Sequence, residues 1–201
     1  MGDLMILNGS PRAPRSNSKR YAELFSSYYP GSTQTFPITR NNHQELCARI
    51  DGASRLLLVF PLYADTLPVS LLDFLKSLEA CSPRQKPTVS VLVNCGFLEP
   101  RQNEVAVRML RLYCRRNGYP FGSVLMIGSG EAILDSPFRF LAARKIQRFA
   151  RAVAQEDCGT FQVTMPLTKG IFVRAAASYW ERYGKRYGIT KEQMQTMDIE
   201  P

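Results

Sequence analysis

Short apolar runs, each closed by a turn and followed by a stretch with helical spacing, restrict this chain more than any other feature. "LMIL" (Leu4 to Leu7), "RLLLVFP" (Arg55 to Pro61), "TVSVLVNCG" (Thr88 to Gly96) and "SVLMIGSG" (Ser123 to Gly130) are such runs, with a mixed "TQTFPIT" after the first. They are too short for free-standing helices and almost continuously apolar, as strands must be in a sheet covered on both faces. Between them, apolar residues recur at helical spacing: Tyr21, Leu24, Phe25 and Tyr28; Leu71, Leu72, Leu75 and Leu78; Val105, Met109, Leu112 and Tyr113; Phe138, Leu141, Ala142, Phe149 and Val153. Alternating strands and helices with short connections predict an α/β fold: a doubly wound, five-stranded parallel sheet. Its 201 residues suit one such domain, residues 1–158, with a C-terminal helical extension over 159–201.

In a doubly wound sheet, ligands bind beyond the carboxyl ends of the strands, where strand order reverses. The loops at that edge therefore carry the functional information. The first, "NGSPRAPRSNS", runs from strand to helix and ends where several backbone N–H groups lack partners and the helix dipole favours negative charge. Serine hydroxyls, Asn17, Arg12 and Arg15 add donors that a phosphate accepts. The plainer reading of the same residues is an ordinary N-cap at Ser16 or Asn17 with solvated arginines. The second loop, "PLYADTLP", sets Tyr63 between prolines, suited either to lying against a flat ring or to closing a strand. The third, "NCGFLEP", places a glycine where backbone would approach a ligand closely, or simply turns into a helix. The fourth, "GSGEAILDSP", offers Gly128, Ser129, Gly130 and Glu131, and a lone Gly-x-Gly is weak by itself. The argument rests on all four converging on one edge.

Several chemistries are disfavoured. The single histidine, His43, lies in the polar run "RNNHQEL", where it is expected to face solvent, and no G-x-S-x-G is present, so a Ser-His-Asp hydrolase has no footing. The five cysteines are scattered without a C-x-x-C pair, which argues against disulfide frameworks, zinc and iron–sulfur centres, and no metal site is expected. Reduced thiols, no bilayer-length apolar run and no signal-peptide pattern lead to the expectation of a soluble cytoplasmic protein. A net charge of +9 points to anionic partners without choosing among them. Nucleic acid is not expected, because arginines and aromatics are not interleaved on strands.

Taken in order, "LNGSPRAPRSNS", "FPLYADTLP" and "VNCGFLEPRQN" resemble the flavodoxin-like NAD(P)H-dependent FMN reductases over about residues 3 to 154. The resemblance implies a flavodoxin-like fold, FMN as cofactor and NAD(P)H as co-substrate. It implies hydride transfer through FMN to a small-molecule acceptor such as a quinone or free flavin, or, alternatively, an FMN-binding electron-transfer protein without its own NAD(P)H turnover. Carried over, Ser10, Pro11, Arg12, Ser16, Asn17 and Ser18 match the FMN phosphate loop. Pro61, Leu62, Tyr63 and Ala64 match the loop along the isoalloxazine, and Asn94, Cys95, Gly96 and Phe97 the loop at its other edge, with Gly130 beside them. The flavin carries the chemistry, so no catalytic side chain is assigned. Ala64 stands where many relatives have an aromatic residue. Nothing resembles a Walker A sequence, which disfavours ATP or GTP hydrolysis, and a Gly-x-Gly-x-x-Gly fingerprint is absent, so the nicotinamide would bind transiently over the flavin.

After Cys158 the pattern changes. Phe172, Ala176, Tyr179, Tyr183 and Tyr187 keep helical spacing, with Trp180 beside them and basic residues along the flanks. Such a face is expected to pack on its own domain or on a second subunit, giving a homodimer; a membrane surface is the lesser alternative. Gly184 and Gly188 are expected to interrupt the helix.

Overall fold

The computed structural model describes residues 4–12 and 15–196; residues 13 and 14 of the first loop lie outside the described residues. The chain divides into two compact units, Met1–Met165 and Pro166–Pro201.

In the first unit, β1 (Leu4–Asn8), α1 (Asn17–Tyr28), β2 (Thr33–Pro37), α2 (His43–Ile50), β3 (Arg55–Pro61), α3 (Val69–Cys81), β4 (Thr88–Asn94), α4 (Glu104–Asn117), β5 (Phe121–Ile127), α5 (Arg139–Gln155) and β6 (Thr160–Val163) follow in order. The strands are all parallel and lie in the order β2-β1-β3-β4-β5-β6. The expected count of five strands is therefore corrected to six. β6 belongs to the stretch assigned from sequence to the helical extension, but it adds to the sheet beside β5 through Val124 to Ile127. Four residues, of which only Val163 is buried, leave too faint an apolar pattern to mark a strand.

Each central strand is buried almost throughout, its successive side chains entering opposite faces, as a two-sided sheet requires. Met5, Leu7, Leu56, Leu58, Phe60, Val91 and Val93 join the core beneath α2, α3 and α4. The other face is closed by α1 and α5, which pack through Phe25 and Phe149 with ring centroids 5.5 Å apart, Phe149 also meeting Phe161 of β6 at 6.1 Å. β6 continues the sheet in the same direction as β3, β4 and β5, although α5 lies on the face of α1. The β5-α5-β6 crossover thus has the opposite hand to the two crossovers before it, an arrangement that about one in fifty such connections adopts.

Helix α4 turns a different side to the core from the one its most apolar residues suggest. Ala106, Val107, Leu110 and Cys114 are buried, while Val105 is 53% and Leu112 37% exposed. A 3₁₀ turn over Pro100–Asn103 sets the phase of the helix, anchored by the fully buried Asn103, whose amide donates to the Pro100 carbonyl at 2.9 Å. The small Ala106 and Cys114 then let the helix approach the strands closely.

The second unit contains α6 (Lys169–Lys185) and α7 (Lys191–Gln195). Thr168 caps α6, its hydroxyl accepting the Ile171 N–H, and Thr190 with Gln193 forms a capping box on α7. Gly184 does not interrupt α6. It is buried, and a Cβ there would meet the Met194 sulfur at 2.7 Å, so the glycine serves the contact between the two helices. Gly188, at φ +71°, does lie beyond the helix end. Among the described residues no helix is long and apolar enough to cross a membrane.

Candidate functional site

Strand order reverses between β1 and β3: the chain leaves β1 towards β2 and leaves β3 towards β4. The crevice beyond their carboxyl ends is where a doubly wound sheet binds ligands. A cavity of about 440 Å³ opens there, walled by Arg12, Arg15, Ser16, Asn17 and Ser18 on one side, Pro61 and Tyr63 on another, and Asn94 and Glu131 on a third, with Ser10 at its base.

The β1–α1 loop is shaped from within. Asn8 is buried and its side-chain oxygen accepts the Ser10 N–H at 3.0 Å, and Ser10 Oγ in turn accepts the Arg12 N–H at 3.3 Å. Gly9 passes so close to α3 that a Cβ would lie 3.3 Å from the Leu71 Cβ. Ser16 is the N-cap of α1, its hydroxyl accepting the Lys19 N–H at 3.2 Å. The cap leaves the N–H groups of Asn17 and Ser18, the first two of the helix, without intrahelical acceptors. Thus the ordinary N-cap reading holds for Ser16 while the donors suited to an anion remain. Arg12 and Arg15 reach the same end, and among the described residues neither has a carboxylate within ion-pair distance. Lys19 faces Glu23 at 3.8 Å.

The cavity's walls are tied to one another. Ser18 Oγ donates to Asn94 Oδ1 at 3.0 Å, the Leu62 N–H donates to the Asn94 carbonyl at 2.8 Å, and Tyr21 OH donates to the Gly130 carbonyl at 2.7 Å. Burial pushes the Tyr21 hydroxyl well up from its ordinary value, so it stays a donor. Gly130 packs so tightly on Asn94 that a Cβ would come within 2.9 Å of the Asn94 Cβ. On the rim, Arg20 holds Asp135 through two short contacts of 2.6 and 2.9 Å, joining α1 to the loop after β5; the guanidinium holds the carboxyl below the usual range.

Tyr63 stands on a strained turn. Its N–H and carbonyl pair with those of Thr66, and the two residues between, Ala64 and Asp65, have φ of 44° and 58°. Positive φ at both central positions is the geometry that Asn-Gly normally serves, so each costs on the order of 1 kcal/mol here. The turn leaves Tyr63 38% exposed, lining both the first cavity and a second of about 760 Å³. Pro11 and Ala64 line that second cavity with Ile38, Arg40, His43 and Leu67. His43 is half-buried rather than solvent-facing. Its Nδ1 lies 2.9 Å from Ser77 Oγ, its ring stands edge-on to Phe74 at 5.6 Å, and its Nε2 is buried with no partner.

Residues 95–97 contribute differently. Cys95 is buried, its sulfur accepting from the Asn103 amide at 3.3 Å, and burial pushes its thiol up. It is thus held within the β4–α4 loop as a neutral thiol. Gly96 lies over Glu131, whose carboxylate carbon would be 3.7 Å from an added Cβ, and Phe97 is half-exposed beyond it. Leu62 packs on the core instead of lining either cavity. Lys19, Arg20, Glu23 and Glu131 also line the first cavity and stand outside the set drawn from the sequence. Glu131 directly follows Gly130; the other three lie within two turns of the Ser16 cap, a position that could have signalled them.

The donors and shape fit FMN: two N–H groups without intrahelical acceptors and two guanidinia uncompensated among the described residues at one end, a half-exposed aromatic ring at the other, and a volume within the range of small-ligand sites.

No protein-family model matches the chain, and no curated protein does. Solved structures do. Rubredoxin oxygen:oxidoreductase from Desulfovibrio gigas superposes with a TM-score of 0.60 at 9% identity, over 77% of this chain but only 36% of that protein, so the match spans about a third of its length. NAD(P)H:quinone oxidoreductase from Methanothermobacter marburgensis gives 0.58 at 16% identity, over 75% of this chain and 96% of that one. An FMN-dependent NADH-azoreductase from Bacillus anthracis, solved in complex with FMN, gives 0.55 at 15% identity, over 77% and 100%. With the strand order, these likenesses establish a flavodoxin-like fold.

Proposed function

We propose that the chain is an FMN-dependent oxidoreductase of the flavodoxin-like NAD(P)H-dependent FMN reductase type, taking hydride from NADH or NADPH and delivering it to a small-molecule acceptor such as a quinone or free flavin. The observation that carries the reading is the cavity at the strand-order switch, with uncompensated arginines at a helix N-terminus and a half-exposed tyrosine across from them. The likeness to solved structures titled as a quinone oxidoreductase and an FMN-dependent azoreductase supports it.

When bound, FMN supplies the two-electron chemistry. The protein's part is to hold, orient and shield. Arg12 and Arg15, with the N–H groups of Asn17 and Ser18, would take the phosphate; Ser10, Pro11 and Ser16 shape that loop around it. Pro61 and Tyr63 would run along the ring, on a turn made by Ala64 and anchored to the core by Leu62, and Asn94, held in place by Gly130, would stand at its other edge, with Cys95, Gly96 and Phe97 forming the loop behind it. The neutral, buried Cys95 thiol takes no proton or electron in this reading. The second cavity, sharing Ser10 and Tyr63 with the first, gives the nicotinamide or the acceptor room beside the ring. A homodimer belongs to the same reading, and sedimentation of the full chain measures it.

The test is an absorbance spectrum of the protein reconstituted with FMN, followed by anaerobic addition of NADH or NADPH. Retained flavin absorbance that bleaches within minutes is expected. Failure to retain FMN refutes the reading; FMN that bleaches only with a chemical reductant makes the protein an electron carrier.

A further inference from the structure

Helix α6 separates two chemistries along its length. At 100° per residue, Phe172, Val173, Ala176, Tyr179, Trp180 and Tyr183 share one face, and Arg174, Glu181, Arg182 and Lys185 the other. The aromatic rings form a continuous cluster: Tyr179 to Trp180 at 5.2 Å, Trp180 to Tyr183 at 5.8 Å, and Tyr183 to Tyr187 at 5.2 Å. Trp180 is 46% exposed, Val173 55% and Tyr187 67%. Five basic residues stand between Lys169 and Gly188 against one acid, Glu181, which Lys191 already pairs at 2.9 Å.

We propose that this face of α6 docks on an anionic membrane surface, aromatic side against the headgroup and acyl boundary and basic side towards the lipid phosphates. Charge decides against the same helix of a second copy as occupant: five basic residues against one acid on each would repel, while an anionic leaflet attracts them, so the proposed homodimer would use another surface. The aromatic composition decides against an apolar protein groove. Tyrosine and tryptophan have apolar bodies and polar tips, which suit a layer apolar on one side and wet on the other. The helix would lie on the surface without crossing it, in keeping with its length and charge.

Trp180 is the chain's single tryptophan, so the proposed contact carries its own probe. The full chain is mixed with vesicles of phosphatidylcholine alone and of about one part phosphatidylserine to three of phosphatidylcholine. Co-sedimentation and a blue shift of tryptophan emission are expected with the anionic vesicles only, weakening as salt shortens the Debye length. Reversing charge in the triple variant Arg174→Glu, Arg182→Glu, Lys185→Glu should cut partition by about a hundredfold. Should that variant lose helix by circular dichroism, Val173→Ser with Tyr179→Ser keeps the charges and should cut partition by about tenfold or more. No binding at low salt overturns the proposal, as does equal binding to both vesicle types. A smaller solution mass for Val173→Ser with Tyr179→Ser overturns it in favour of a subunit contact. None of these readouts involves flavin, so they stand apart from the proposed activity.

Discussion

Replacing Gly130 by alanine tests how the candidate site is held together. The backbone there is not in the left-handed region, so the effect of Gly130→Ala is steric. Its Cβ would lie 2.9 Å from the Asn94 Cβ and 3.1 Å from the Cys95 carbonyl oxygen. Neither is the end of a flexible side chain, so β4 or the loop after β5 must move. Asn94 holds Ser18 at 3.0 Å and the Leu62 N–H at 2.8 Å, which passes the displacement to the first turn of α1 and to the Tyr63 loop. Overpacking of this kind costs about 1–3 kcal/mol. With a urea slope of about 2 kcal/mol/M, the midpoint should fall by about 0.5–1.5 M. Gly52→Ala is the control, because its added Cβ would meet nothing nearer than the Arg49 carbonyl at 3.8 Å; it should be neutral or stabilising by about 0.4–1 kcal/mol. Far-ultraviolet circular dichroism is the readout, since the single tryptophan, Trp180, lies outside the unit that holds Gly130. A Gly130→Ala midpoint unchanged, or shifted no more than that of Gly52→Ala, would refute the claim that Asn94 and Gly130 lock the cavity wall.

Other expectations follow from the same geometry. Arg12→Ala should weaken FMN binding about tenfold to a hundredfold in a fluorescence titration while leaving the urea midpoint unchanged, because Arg12 is exposed and outside the core. Asp135→Asn should cost less than about 1 kcal/mol in urea, since Arg20 and Asp135 are both well exposed. Asp135 is held below its ordinary value near about 4, so its contribution is present above that value and fades as pH falls through the lowered one; the asparagine variant should lose less stability on acidification. In native protein at neutral pH, iodoacetamide should label the exposed Cys81 and Cys158 well before Cys95, whose thiol is buried and raised, as mass spectrometry of timed digests would show.

The features legible in the amino-acid order are mostly local. Continuous apolar runs bounded by Asn, Gly and Pro mark β1, β3, β4 and β5 closely, with β3 over the very span read from "RLLLVFP", because a strand buried on both faces leaves no other pattern. The loop "NGSPRAPRSNS" announces a helix N-terminus rich in donors because capping and dipole act within a few residues. Tertiary structure decided the rest. Which side of α4 faces inward depended on the 3₁₀ turn before it and on small residues that fit the sheet, a choice the spacing of the large apolar Val105 and Leu112 does not record. β6 is strand because β5 offered a free edge, and it reaches that edge through a crossover of the uncommon hand that no local rule favours. Arg20 meets Asp135, and Glu131 lies beside Gly96, only because the segments after β1, β4 and β5 converge. Arg20 and Asp135 are 115 positions apart in the chain, and the pairing of groups so distant is set by strand order and packing, which periodicity and propensity do not encode.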